Sequence, residues 1–368
     1  MRAGPGQVLA GRYRLTDHPE VLRAAAVDER TGAGVGLRGL ELPALLASGH
    51  DPDDPVPEQG ERMVRRVAAA GSAAPAHQRL LQGVGAFVEG DLFWTAEERP
   101  AGVLLADLAV AGPVPPYRAA ELAADLAGAL RALHEAGIAH GNLTADSVLV
   151  CEDGAAMLGG LLAGVAEEAL AEELGGPGGR RRYDVRATLV GPVAERWPLD
   201  GGPAGDCWAL GVLLQRLVTG RSPFPDRGVP ELVTAVRDGR REPSTVCGPL
   251  APLVERLLQP DPALRPTAAA VQRELADLLA GAPEPADEER AARALALRPE
   301  GPLVPLTPRR RGRGGRAAAP VDEASPTDSA PGPDRPPRIP PALLGPLLVG
   351  GVFVLLVLAV VAVVLFSG

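Results

Sequence analysis

The 368-residue chain contains no lysine; all 37 of its basic residues are arginine. Any step that calls for a compact, movable ammonium must be done by a planar guanidinium or not at all. Cysteine is scarce as well. Cys151, Cys207 and Cys247 stand far apart with no C-x-x-C pair, which excludes a disulfide framework and a cysteine zinc site and fits a reducing compartment. The start, MRAGPGQVLAG, has no apolar run long enough for a secretory leader. From Leu15 to Thr31 there is no glycine, so that stretch lacks the residues that let a backbone close tightly over phosphate. An excess of basic charge is also missing. The net charge is −9, thinly spread, which argues against a nucleic-acid partner.

What is present is enough apolar residue (46%) to fold one or two domains, with 45 Gly and 39 Pro calling for long loops or a linker. The spacing of Leu122, Leu126, Leu130 and Leu133 predicts a helix over 116–136 that ends at Gly137. It leads into His140–Leu162, where an apolar run (Val148, Leu149, Val150), an Asp153-Gly154 turn and a second short run predict a hairpin. Two further strands are expected at Ala86–Val88 and Asp91–Ala96, around a Glu89-Gly90 turn. Glu61 to Ala70 is expected to be helical after the Pro-rich loop 48–60. Asp206 is placed to cap a helix carrying Leu213, Leu214 and Leu217, and Thr267 to cap a last helix carrying Val271, Leu275 and Leu278.

These segments carry a resemblance. His140-Gly-Asn142-Leu143-Thr144 followed by Ser147 resembles H-R-D-L-x-x-x-N, and Gly160-Leu161-Leu162 stands where D-F-G falls in the eukaryotic-type Ser/Thr protein kinases. Asp206-Cys207-Trp208-Ala209-Leu210-Gly211 resembles the D-x-W-x-L-G opening of that family's central large-lobe helix. Pro192–Glu195 resembles A-P-E, Asp261–Pro266 resembles D-P-x-x-R-P, and Val35–Arg38 resembles V-A-I-K with arginine for lysine. The chain is similar to that family in a bacterial, actinobacterial-looking form. The resemblance implies an α+β, bilobal protein-kinase-like fold, with a small mostly β lobe at 12–100 and a large mostly α lobe at 101–280, after an N-terminal tail at 1–11. Residues 97–100 would join the lobes, and Gly164 to Val190 would stand as the activation segment, with Thr188 and Tyr183 its only hydroxyls. By the same resemblance His140, Glu195, Asp206, Trp208 and Arg265 are structural, and Arg265 pairs with Glu195. Glu61 would be the ion-pair glutamate, against the plainer expectation of a solvent-facing charge.

The positions that carry the family's chemistry are altered. Asn142 replaces the base, Ser147 and Gly160 replace the metal ligands, and Arg38 replaces the lysine. An amide has no proton-accepting pKa, glycine offers magnesium nothing, and phosphoryl transfer depends on metal and charge neutralisation. No catalytic residue is intact. Asp146 and Asp153 are weak candidates for a metal, Asp146 being more simply a solvated loop residue, and Arg38 is equally readable as an ordinary surface arginine. Arg38 and Glu97 are candidates for touching a nucleotide, and Asp17 and Glu20 would repel a triphosphate. No cofactor is expected, with ATP and Mg²⁺ as the alternative.

Beyond the domain, residues 281–341 read as a disordered Pro/Arg-rich linker containing the Arg309–Arg316 run. Residues 342–366, from Leu343 to Phe366, are apolar and long enough for one C-terminal transmembrane helix, leaving 367–368 as an external stub. Arginines on its N-terminal side place the domain on the cytoplasmic face, where each contributes about 1 kcal/mol of attraction to anionic lipid. The expected protein is a single-pass, tail-anchored pseudokinase of the cell membrane. Its partners would be the bilayer and proteins at the inner membrane surface. The alternatives are an active Ser/Thr kinase with a rearranged metal site, and an ATP-binding sensor without transfer.

Overall fold

Period-two alternation builds the first part of the chain. In the computed structural model, which describes residues 4–17, 22–42 and 58–282, β3 (Arg23–Asp28) and β4 (Gly34–Glu41) bury every second side chain. Val35 and Leu37 enter one core with Tyr13, Leu15, Ala24, Ala26 and Trp94, while Gly36 and Arg38 take the opposite face. With β1 (Val8–Leu9), β2 (Tyr13–Leu15), β5 (Gly83–Glu89) and β6 (Leu92–Glu98) they form an antiparallel six-stranded sheet in the order β1-β2-β3-β4-β6-β5. The turn between β5 and β6 falls at Gly90 (φ 60°), the place the sequence marks for it. At the β3–β4 turn, Asp28 is buried and accepts two hydrogen bonds from Arg12 (2.9 and 2.7 Å), which hold its carboxyl down at about 2.

Helix α1 (Glu58–Ala73) packs on this sheet through Met63 and Val67, which meet Phe93. The rest is helical: α2 (Leu105–Val110), α3 (Pro116–Glu135), α4 (Leu161–Gly175), α5 (Arg180–Val190), α6 (Pro203–Thr219), α7 (Val229–Arg237), α8 (Ala251–Leu257) and α9 (Ala268–Ala280). Between α3 and α4 the strands β8 (Val148–Cys151) and β9 (Ala156–Leu158) form the expected hairpin, joined by a third strand, β7 (Gly102–Leu104), from just before α2. The α3 leucines are all buried, in one core with Leu210, Leu213, Leu214, Val271 and Leu275. Thr267 caps α9 by accepting the Ala270 N–H at 3.3 Å. The result is a bilobal α+β arrangement of a β-rich lobe with α1 and a helical lobe.

The Asp206 cap is not found. Helix α6 starts three residues earlier at Pro203, because proline suits a first turn that needs no N–H, and Gly202 takes the flanking position. Asp206 instead faces inward, as described below. Glu20, most of the 48–60 loop, the 283–341 part of the linker and the apolar segment from Leu343 to Phe366 lie outside the described residues. Among the described residues no helix is long and apolar enough to cross a membrane.

Candidate functional site

The cleft between the lobes has a volume of about 550 Å³ and is roofed by β3 and β4. Arg23 and Arg38 are direct cross-strand partners there, and both reach the loop 145–147 below. The Arg38 guanidinium donates to the Asp146 carbonyl at 2.9 Å, and Arg23 pairs with the Asp146 carboxylate at 2.8 Å. Burial, then the neighbouring Arg23 charge, lowers the Arg38 pKa. Asp146 is thus a tie between the lobes and not simply a solvated loop residue, and Arg38 is not a surface arginine. Asp153 is not brought to the cleft. It sits exposed in the β8–β9 turn and accepts the N–H of Ala155 at 2.9 Å.

Position 142 lies at the centre of the loop after α3. The Asn142 amide donates to the Gly160 carbonyl at 2.8 Å, and its oxygen accepts from Arg196, which also pairs with Glu167 at 2.6 Å. Ser147 is closed on its own turn: its hydroxyl donates to the Thr144 carbonyl (2.9 Å) and accepts the Thr144 N–H (3.0 Å). Gly160 takes a left-handed conformation (φ 82°, ψ 10°) at the start of α4, and a Cβ there would lie 3.0 Å from both Asn142 Nδ2 and Ser147 Cβ. Both flanking positions are therefore shaped around the absence of a side chain at 160.

Glu97 does not serve as a connection between the lobes; it lies within β6, one residue before its end, with its carboxylate turned onto the start of α4. It accepts the Gly160 N–H at 2.7 Å and the Leu162 N–H at 3.4 Å, satisfying donors that a helix start leaves free. Burial raises its pKa, against the pull of these N–H groups and of Arg38. Its position in the sequence gave no hint of this role, because the partner is a backbone 63 residues away.

The loop is held from behind by Asp206. Its carboxylate accepts the His140 N–H at 2.8 Å, the Gly141 N–H at 2.7 Å and a bond from His134 at 2.9 Å. His140 is buried; its Nδ1 accepts the Asn142 N–H (3.2 Å), so Nε2 carries the proton toward the Gly159 carbonyl (3.1 Å). Burial drives its pKa down to about 4. Trp208 is buried against Phe224, ring centres 5.4 Å apart.

The expected Arg265–Glu195 pair is not formed. Arg265 donates to the carbonyls of Gln259 (2.7 Å) and Pro260 (3.0 Å), just past the end of α8, and of Ala204 (3.1 Å) in the first turn of α6. Glu195 lies instead 3.2 Å from Arg216 on α6. Glu61 takes the plainer of its two readings: it is exposed and pairs with Arg65 one helical turn on, at 3.2 Å.

The segment after Gly160 folds as a helical hairpin. Helix α4 buries Leu161, Leu162, Ala163, Ala166 and Leu170, and packs on α1 through Leu162 and Ala166. Arg62–Glu173 (2.7 Å) and Arg66–Glu172 link α4 to α1, and Arg182 and Arg186 link α5 back to Glu168. Tyr183 is tilted against Trp197 at 5.6 Å, while Thr188 bonds back to the Asp184 carbonyl at 3.1 Å.

A protein kinase domain model matches residues 56–275, more than half of the chain. The chain belongs to the protein kinase family. The match begins after β4, so Arg38 and the strands that roof the cleft fall outside it. Among curated relatives, the Ser/Thr protein kinase PkaA of Streptomyces coelicolor is 34% identical over 168 residues, 45% of this chain and 30% of the relative. Testis-specific Ser/Thr protein kinase 3 of mouse is 30% identical over 190 residues, 49% of this chain and 65% of the relative. Human Ser/Thr protein kinase PAK 4 is 26% identical over 202 residues, covering 52% and 32% respectively. The chain thus spans less than two thirds of each of these relatives, and about a third of two of them. Members of the kinase family normally use ATP and magnesium.

Proposed function

We propose that this kinase-family chain is a membrane-anchored pseudokinase: a regulatory or scaffolding protein that binds partners at the inner membrane surface and does not transfer phosphate. One observation carries the reading. The residue in the place of the base is an amide whose two ends are engaged, by the Gly160 carbonyl and by Arg196. A hydroxyl could be neither deprotonated nor well oriented there.

The rest of the donor set does not fit magnesium triphosphate. Magnesium needs oxygen ligands, with at least one protein carboxylate in reach. Residue 160 has no side chain, Ser147 is closed on Thr144, Asp146 faces Arg23, and Glu97 faces the start of α4.

The test is incubation of the purified full chain with γ-labelled ATP and Mg²⁺ or Mn²⁺, alone and with a generic protein substrate. No incorporation above a heat-denatured control is expected. Incorporation that Asn142→Ala or Asp146→Asn abolishes would establish the rival, an active kinase with a rearranged site. A second reading rests on Arg23, Arg38 and Arg99 lining one cavity: nucleotide binding without transfer. It predicts that ATP raises the melting temperature equally with and without metal, whereas the preferred reading predicts no rise.

Anchoring is inferred from the uncharged run at 342–366 and the arginines before it. The full chain should stay in the membrane fraction after alkaline wash, and a chain ending at residue 341 should not. Protease added outside intact cells should leave the domain uncut.

A further inference from the structure

Helix α5 has none of its 11 residues buried, although it lies against α4, a helix that buries nine of its 15. Tyr183, Ala187, Leu189 and Val190 are half-buried at the edges of the two cores. What fastens α5 to α4 is charge. Arg182 pairs with Glu168 and with Glu172 (3.1 Å), and Arg186 pairs with Glu168 (3.3 Å). These side chains are 23–35% exposed, so each pair is weak and is weakened further by salt. Glu172 is shared with Arg66 on α1, whereas both ion-pair partners of Glu168 come from α5.

Both ends of α5 are pivots. Gly176 (φ 79°, ψ −176°) and Gly179 (φ 88°, ψ −171°) precede it, and Gly191 (φ 65°, ψ −167°) follows it. All three stand in a region of backbone space that is essentially open to glycine alone. A Cβ built on any of them would meet nothing within 4 Å, so no neighbour obstructs rotation there.

The helix also reaches the loop after α3. The Arg186 guanidinium donates to the Arg196 carbonyl at 2.8 Å and lies over the Trp197 ring, 5.3 Å from its centre. Tyr183 covers another part of the same ring, and the Trp197 indole N–H donates to the carbonyl of Gly191, the downstream pivot, at 2.8 Å. Arg196 in turn holds the Asn142 oxygen and Glu167. Two arginines in series therefore connect α5 to position 142.

We propose that α5 is a salt-released strap. Closed, it covers Trp197 and braces Arg196 against Asn142. Swung open about its glycines, it uncovers Trp197, leaves Glu168 without its cations and slackens the hold on Asn142. Segments fastened by few buried contacts are the ones that open locally, ahead of the rest of a fold. The inference stands apart from whether the cleft transfers phosphate, because its readout is backbone exchange and not phosphorylation.

The experiment is hydrogen–deuterium exchange with mass spectrometry on the full chain in detergent, at low salt and in about 1 M NaCl. Amides of 180–190 should exchange at least about tenfold faster than those of 161–175. Glu168→Gln should speed 180–190 by about three- to tenfold, the loss expected for two exposed pairs, and should speed 140–147 as well. Helix α3 should stay as protected as before. Arg182→Gln should act in the same direction, and Arg180→Gln, an exposed arginine outside these pairs, should change nothing. High salt should reproduce the effect in the unaltered chain and add little to Glu168→Gln. Equal exchange in α4 and α5, or 180–190 unmoved by Glu168→Gln, would overturn the strap. So would a Glu168→Gln that speeds α3 equally, since the glutamate would then support the whole domain. Faster exchange at 180–190 with 140–147 unchanged would overturn the link to Asn142.

Discussion

Returning a side chain to position 160 is the sharpest test of how the cleft is built. Gly160→Ala has two separable costs. The backbone stands at φ 82°, ψ 10°, where an L residue costs about 1–2 kcal/mol. The new Cβ would also lie 3.0 Å from Asn142 Nδ2 and Ser147 Cβ, both buried, and such overpacking adds about 1–3 kcal/mol. Gly220 at the end of α6 is the matched control. Its backbone is nearly the same (φ 71°, ψ 5°), but its Cβ would meet only Pro113, at an ordinary 3.5 Å. Gly220→Ala should therefore cost only the first, about 1–2 kcal/mol. In a domain of this size about 2 °C of melting temperature corresponds to each kcal/mol. Differential scanning calorimetry should show a drop of roughly 4–10 °C for Gly160→Ala and roughly 2–4 °C for Gly220→Ala. Gly160→Asp should be destabilised like the alanine variant and should gain no Mg-ATP-dependent phosphorylation. Equal shifts for the two alanine variants would show that the cleft accepts a side chain freely. Phosphorylation by Gly160→Asp would show that only one group separates this fold from an active one.

Three further outcomes follow from the same surroundings. Glu97→Ala removes the acceptor of the Gly160 and Leu162 N–H groups and should cost about 1–3 kcal/mol, read by urea unfolding, with Glu97→Gln in between; cleavage within 161–190 should quicken only in the alanine variant. His140 has a folded pKa of about 4 against an ordinary 6.5, so its neutral form is required by the fold: stability is intact above pH 6.5 and falls by about 3 kcal/mol as pH drops through that window toward 4. Proton NMR should show His140 still neutral at pH 5, and an ordinary titration of His140 near pH 6.5 would refute this burial. Asp206→Asn turns an N–H₂ toward donors now accepted by a carboxylate, and should cost about 2–4 kcal/mol in urea unfolding, whereas no change would mean that the loop holds itself.

What could be read from the sequence was local. The α3 leucines, the Asp153-Gly154 hairpin, Thr267 and the Glu89-Gly90 turn each work through neighbours within a few residues, so periodicity and turn chemistry suffice. Asp206 and Glu97 could be singled out, but not their partners, because those partners are chiefly backbone groups more than 60 residues away. Arg265 was expected to seek the carboxylate of Glu195, yet the carbonyls of Gln259 and Pro260 past α8 and of Ala204 at the start of α6 satisfy its fork, and Arg216 on α6 faces the glutamate. Arg196 and Arg23 carried no signal at all. One follows a recognisable glutamate and the other opens an alanine-rich strand, and only the closed loops show that they reach Asn142 and Asp146.

The altered positions are not merely vacant. Asn142 joins Gly160 to Arg196, Ser147 closes its own turn, Arg38 ties β4 to the loop below, and Glu97 caps the helix that begins where a metal ligand would stand. Each of these contacts is short and at least partly buried, and each would have to be broken to free its group for magnesium or a hydroxyl. Losses that share partners are coupled and do not add as independent steps. Restoring aspartate at 142 alone would set a carboxylate against the Gly160 carbonyl. Restoring it at 160 alone would force the loop away from Asn142. On the reading proposed above, the bonds that tie the loop 142–147 and Glu97 to the start of α4 would oppose restoring phosphate transfer one residue at a time.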